Sequence, residues 1–202
     1  MKAAYIDCSI SGVSGDMLTA ALIDAGAPAE KVKRAMMAAG KPFGGVKVSI
    51  KRVSVSGIGA IHVDVITQDE GGRNYFDILG QLEKLTLPEE IKAASLEALA
   101  VLARAEAKVH RRRLEQLVLH EVGAADAIAD IVGCCTAAHE LGLFDREVLA
   151  SEVAVGKGLT TFAHGKLPLP APTSCNTSCS SLLRWTLASR GRGRPTPPGM
   201  RP

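Results

Sequence analysis

The sequence predicts an α/β (α+β) protein: a small mixed sheet that includes a β-hairpin, covered by several helices, with a disordered C-terminal tail. Three observations carry this expectation. Two runs of alternating polarity, Val46 to Lys51 and Ala60 to Ile66, flank a Ser56-Gly57-Ile58-Gly59 turn, the pattern of an antiparallel hairpin. Helical segments alternate with short apolar runs, and the longest is opened by Pro88, with Glu89 and Glu90 suiting the helix dipole. From Thr173 the chain turns Ser-, Arg- and Pro-rich with no sustained amphipathic period.

The elements follow in order. Ala3 to Cys8 reads as a short buried strand that enters a small-residue loop, Ser9 to Gly15, and then a helix to about Ala25, with Gly26 as its C-cap. Pro28 starts a second helix to about Ala39, which Gly40 and Pro42 end. After the hairpin, Gln68 to Arg73 is a polar loop and Asn74 to Leu85 a helix. The Pro88 helix runs to about His110, and Leu114 to Leu119 is short and apolar. Gly123 to Gly142 is a helix with Ile128, Ile131/Val132, Cys135 and His139 along one stripe. Val148 to Val155 is a strand, followed by a Gly- and Pro-rich loop to Pro172. The organisation expected is one domain over 1–172 and a tail over 173–202.

Composition narrows the function classes. The chain has 202 residues, 47% hydrophobic but only 3% aromatic, so Ala, Leu, Ile and Val must build the core and base-stacking platforms are disfavoured. The formal charge of +3 owes everything to the tail, where Arg184, Arg190, Arg192, Arg194 and Arg201 meet no acid. Residues 1–172 carry a net −2, which speaks against a nucleic-acid-binding body. The N-terminus lacks the pattern of a signal peptide, and no apolar run is long enough to span a membrane. Five irregularly spaced cysteines fit a reducing cytoplasm.

Three segments carry residue types suited to chemistry. In the first, Asp7 to Met17, small residues between a strand and a helix leave backbone amides open to an anion, which makes Ser11, Gly12, Ser14 and Gly15 candidates for phosphate. Asp16 near the helix start would repel a bare phosphate, so a bridging divalent cation reconciles the two. Alternatively Ser14 is an N-cap and Asp16 an ordinary first-turn acid.

In the second segment, Leu119 to Gly133, Asp126 and Asp130 lie four apart on one helical face, where like charges repel unless a cation or base sits between them. His120 and Glu121 precede that helix and can fold back on its first turn, and imidazole with carboxylate suits Ni, Zn, Fe or Mn. Solvated aspartates and a capping His120 are the competing reading.

In the third, Gly156 to Pro172, prolines at alternate positions hold an extended chain that presents His164, while Lys157 and Lys166 could meet phosphate. A stiff surface loop with an ordinary histidine is the alternative. Weaker features are the Glu106/His110 pair, His139 on its apolar stripe, the Cys134-Cys135 pair and the Arg111 to Arg113 run.

In this order, Asp7 with SGDM (Ser14–Met17), HEVGAADAIADIVG (His120–Gly133) and HGKLPLPAP (His164–Pro172) closely resemble the LarC family. These are nickel-insertion proteins that mature the nickel-pincer cofactor of lactate racemase. AEAKVH (Ala105–His110), the GIGAIHVDV strand and YFDIL fit as well, so the resemblance covers roughly residues 3–172.

The resemblance implies a cyclometallase, a lyase-type nickel chelatase. It would insert nickel into pyridinium-3,5-bisthiocarboxylic acid mononucleotide, forming carbon–nickel and sulfur–nickel bonds with CTP, and Mg or Mn, consumed by the full-length protein. By position, the residues expected to act are Asp16, His120, Glu121 and Asp126, with nickel at His120, Asp126, Asp130 and His164 and phosphate at Ser11, Gly12, Ser14, Gly15 and Lys157. Where many family members are histidine-rich, this chain reads QDEGGRN (Gln68–Asn74), which disfavours bulk nickel storage.

After Pro172 the family continues into a C-terminal domain associated with CTP use, whereas this tail reads as out of frame. The partners expected are therefore the pyridinium substrate and a separate C-terminal half, with a homo-oligomer left open and neither nucleic acid nor membrane. Two other readings stand beside this one: a non-catalytic nickel-delivery module, and a divalent-metal phosphohydrolase. The absence of Asp-x-Asp spacing weakens the last.

Overall fold

The computed structural model describes residues 3–120, 123–162 and 165–170. Five helices occur among them: α1 (Gly15–Asp24), α2 (Ala29–Gly40), α3 (Tyr75–Glu83), α4 (Glu89–His110) and α5 (Ala125–Glu140). α5 is the hub, against which α1, α2 and α4 all pack. Its sequence explains why. Ala125, Ile128, Ala129 and the whole run Val132 to Ala138 are buried, so it is covered nearly all round rather than along one stripe. Small residues let neighbours approach closely: a Cβ at Gly133 would fall 2.7 Å from Met36 Cγ of α2, a fully buried side chain.

The helix ends follow local chemistry. α1 closes in a Schellman motif, in which the amides of Gly26 and Ala27 donate to the carbonyls of Ile23 and Leu22 and Gly26 takes φ +116°. α4 begins after Pro88 and ends at a left-handed Arg111. These bounds agree with the sequence expectation to within a residue or two.

The expected hairpin is present and longer than the alternation suggested. β2 (Lys47–Val55) and β3 (Ile58–Ile66) pair antiparallel from Lys47↔Ile66 to Val55↔Ile58. Ser56 and Gly57, both at positive φ, form the two-residue turn, so Ile58 and Gly59 belong to the strand. The α/β class with a hairpin and covering helices is as expected. The strands, however, pair two by two among the described residues. β1 (Ala4–Ile6) lies parallel to β6 (Val148–Ala150), and β4 (Arg73–Asn74) lies antiparallel to β5 (Val118–Leu119).

The segment expected as a loop to Pro172 contains a second hairpin, β7 (Gly158–Phe162) with β8 (Gly165–Leu169), in register Gly158↔Leu169. The alternate prolines favour the extended backbone that such a strand needs. The tail expected over 173–202 lies outside the described residues, as do Glu121 and His164.

Candidate functional site

Parallel β1 and β6 end on the same side, and the loops that leave them are stitched together. The Ser151 amide donates to the Ile6 carbonyl, while the amides of Ala154 and Gly12 both donate to the Cys8 carbonyl, at 3.0 and 3.2 Å. The Cys8 amide donates to Ser151 Oγ at 2.7 Å. Gly12 stands at φ +72° against this second segment, and a Cβ there would lie 2.6 Å from the Ala154 carbonyl oxygen. Asp7 shapes the loop, its Oδ1 accepting from the Ser9 amide and hydroxyl, which holds its pKa below the ordinary value. The loop delivers Ser14 and Gly15 to the start of α1.

There α1 meets α5. A Cβ at Gly15 would fall 2.5 Å from the Asp130 Cβ and 2.7 Å from its Oδ2, so only glycine lets the two helices come this close. Cys134, one turn further along α5, donates to the Gly15 carbonyl at 3.2 Å and lies 3.1 Å from Thr19 Oγ1.

This crossing collects three carboxylates. Burial raises the Asp130 pKa to about 7, the charges of Asp16 and Asp126 add to the rise, and the Asp16 backbone amide opposes it. Asp130 Oδ1 is buried without a hydrogen-bond partner. Such an oxygen needs a proton or a cation. Asp16 Oδ1 accepts from the Met17 amide at 2.8 Å and from the Ser14 hydroxyl. Ser14 therefore occupies the N-cap position while its side chain serves Asp16 rather than a backbone amide. Asp126 Oδ1 accepts from the Ala127 amide at 2.8 Å.

The α1 N-terminus thus faces carboxylates of its own chain. A bare phosphate would be repelled there, and a divalent cation would be welcomed. Among the described residues no three His, Cys, Asp or Glu side chains form a group able to hold a metal ion, so the carboxylates would need further donors to close a coordination shell.

His120 is exposed and lines an open cleft of about 310 Å³ with His110, Arg112, Leu117 and Val118. His110 Nε2 lies 3.2 Å from Glu106 Oε2. Lys157 and Ser11 are exposed on their loops. Cys134 and Cys135 are buried, with thiols pushed up to about 12 and about 11 chiefly by desolvation, so neither is a thiolate at neutral pH. His139 stacks edge-on against Phe144 at 5.6 Å and pairs with Glu140, which also holds Lys31 at 2.7 Å.

One clamp holds the start of α5 from a distant segment. Asp69, in the loop before β4, takes Arg73 in a two-pronged ion pair at 2.6 Å on each prong. Its Oδ2 also accepts from the Ala125 amide at 2.8 Å and so caps α5 from another segment. Arg73 donates to the Gly123 carbonyl at 3.1 Å and lies over the Phe43 ring. Gly71 completes the clamp: at φ +79°, a Cβ there would strike the His120 carbonyl at 1.9 Å. The acid–base spacing of Asp69 and Arg73 is visible in the sequence, but nothing local says that its target is the start of α5.

The profile of a family described as nickel insertion protein matches residues 4–197, a span that continues past Pro172. A pyridinium-3,5-bisthiocarboxylic acid mononucleotide nickel insertion protein of Desulfitobacterium hafniense is 42% identical over 176 residues, covering 86% of this chain and 42% of its own. One of the same name from Geobacillus kaustophilus is 37% identical over 185 residues, covering 86% and 44%. A chain of Methanothermobacter thermautotrophicus, assigned by name to nickel insertion, is 40% identical over 172 residues, covering 84% and 42%. The chain spans about two fifths of the length of these curated relatives. No solved structure matches.

Proposed function

Because the chain belongs to the nickel insertion protein family, we propose that it forms the nickel-handling part of a protein that installs nickel in a pyridinium bisthiocarboxylate mononucleotide. The substrate is taken from the names of the relatives. The observation that carries the reading is the crossing of α1 and α5, where Asp130 Oδ1 is buried without a hydrogen-bond partner in the field of Asp16 and Asp126. Nickel enters there as a substrate. Asp126 and Asp130 are its carboxylate ligands, with Asp16 beside them; Glu121 and His164 are the further donors proposed, and His120, which lines the cleft with His110 and Arg112, would have to move to join them.

Binding the cation exchanges the Asp130 proton for the metal charge, which removes the like-charge penalty that its neighbours impose. Ser11, Ser14, Gly15 and Lys157 then hold the substrate phosphate, which approaches this loop only once the metal offsets the carboxylates; Gly12, expected among them, spends its amide on the Cys8 carbonyl and shapes the loop instead. Carbon–nickel bond formation releases a proton from the ring carbon, and carboxylates in this setting are suited to accept it. We assign the nucleotide step to a C-terminal half, and the setting to the cytoplasm. The isolated chain is then a nickel-binding module without CTP-driven activity.

Calorimetric titration with nickel tests this directly. Wild-type chain should bind, and Asp126→Ala and His120→Ala should each weaken binding at least tenfold. Unchanged affinity in both variants would sink the site assignment. Co-expression with the C-terminal half of a relative, followed by a CTP-dependent insertion assay, separates an enzyme half from a carrier. A phosphohydrolase would instead release phosphate with magnesium alone.

A further inference from the structure

We propose that the exposed face and open edges of the β1–β6 pair are the docking surface for the C-terminal half that the relatives carry in the same chain. The inference rests on reading this chain as the front part of a two-part nickel-insertion protein. Its starting point is a register. Tyr5 and Leu149 stand side by side across the parallel pair, 65% and 49% exposed. Their neighbours Ala4 and Val148 turn the other way and pack on the core.

Parallel strands are ordinarily covered on both faces, and a pair of three-residue strands is too small to be a finished sheet. Each strand here also leaves one backbone edge without a strand partner among the described residues. Further large apolar side chains are exposed in the segments that follow the carboxyl ends of the two strands. Ile10 and Val13 in the loop after β1, Met17 in the first turn of α1 and Val155 beyond β6 are 88%, 44%, 46% and 41% exposed. Large side chains gathered around one end of an uncovered sheet mark a contact surface.

The relatives indicate what covers it. The matched 176 residues are 42% of the Desulfitobacterium hafniense chain, so more than half of that polypeptide lies outside the part seen here. A half of that size can both extend a sheet by strand addition and cover its face. The geometry has a functional corollary. In open α/β sheets ligands sit beyond the carboxyl ends of the strands. Parallel strands added beside β1 or β6 would bring their own carboxyl-end loops next to Asp7, Ser14 and Asp16. Loops of the other half would then lie beside the carboxylate crossing and the loop before α1.

The test is to co-express the tagged chain with the C-terminal segment of the Desulfitobacterium hafniense relative, so that neither half has to fold alone. The complex is then measured by light scattering and hydrogen exchange. The expected result is a one-to-one complex with new protection at residues 4–6 and 148–150, weakened at least tenfold by Leu149→Glu and by Tyr5→Glu. Ile58→Glu, on the equally exposed tip of the β2–β3 hairpin, should leave it intact. The proposal is overturned if no complex forms, if Leu149→Glu binds like wild type, or if the chain dimerises through this face and excludes the segment. Nickel titration of the wild-type chain, alone and with the segment, keeps the two readings apart. Complex formation without nickel binding defeats the proposed function and leaves the docking surface standing; nickel binding without a complex does the reverse.

Discussion

Gly15 at the start of α1 presses directly on Asp130 of α5, so closely that a methyl group at Gly15 would lie 2.5 Å from the Asp130 Cβ. The contact sets how far apart the two helices stand and how deeply the Asp130 carboxyl is buried. Gly15→Ala is expected to cost about 1–3 kcal/mol, because neither backbone nor Cβ can step aside cheaply. Urea denaturation would measure it. Gly59→Ala, where nothing lies within 4 Å, is the matched control and should stay within about 0.5 kcal/mol of wild type.

Asp130 should make stability depend on pH in the direction opposite to an ion-paired carboxylate. Its folded pKa is raised from 3.8 to about 7, so its contribution to stability is fully present below pH 4 and is lost as pH climbs through 7. Asp130→Asn removes that loss. The variant should be more stable than wild type at pH 8, by on the order of 1–2 kcal/mol once solvent screening is allowed for, and the difference should vanish on acidification. Thermal melts across this range would read it out.

The same proton competes with metal. If nickel sits at Asp126 and Asp130, its apparent affinity for the wild-type chain should rise as pH passes upward through about 7, with proton release on binding. Calorimetry in two buffers of different ionisation enthalpy would detect the released proton. A flat affinity between pH 6 and 8, with no buffer dependence, would place the metal elsewhere.

Asp69→Ala should remove the cap on α5 and leave the Arg73 guanidinium without its carboxylate. The cost expected is about 1–3 kcal/mol. The Asp69 pKa is lowered, chiefly by the hydrogen bond from Arg73, so its contribution is present at neutral pH and lost as pH falls below the usual carboxylate range. Amide exchange at Ala125 should speed up in the variant before global unfolding does. Unchanged exchange there would refute the cross-segment cap.

The hairpin, the helix ends and the α/β class were legible in the sequence because each rests on neighbours in the chain: alternation from Val46, a turn within Ser56 to Gly59, Pro88 before α4, Gly26 after α1. The pairing of Asp126 with Asp130 was legible for the same reason, since a helix repeats every four residues. What stayed hidden depends on distant segments. Sequence spacing could not place Asp16 beside Asp130, nor Asp69 on the first amide of α5, nor His120 in a cleft with His110 and Arg112. The second hairpin hid behind its prolines, which mark extended backbone equally well in loop and strand. Asp7, a motif residue, spends its carboxylate on Ser9 and shapes the loop.

The parallel pairing of Tyr5 with Leu149 also fixes an order of events. β1 is synthesised well before its partner, which is encoded some 140 residues later. The loop that precedes Asp16 is stitched to Ser151 and Ala154, so it too must await that late segment. Closing so long a loop before its contacts repay the entropy is slow. During synthesis the helices around α5 can gather early, while the carboxylate crossing takes its final shape only after the segments around Ile6 and Ser151 have met. A refolding experiment should therefore recover helical signal before metal affinity.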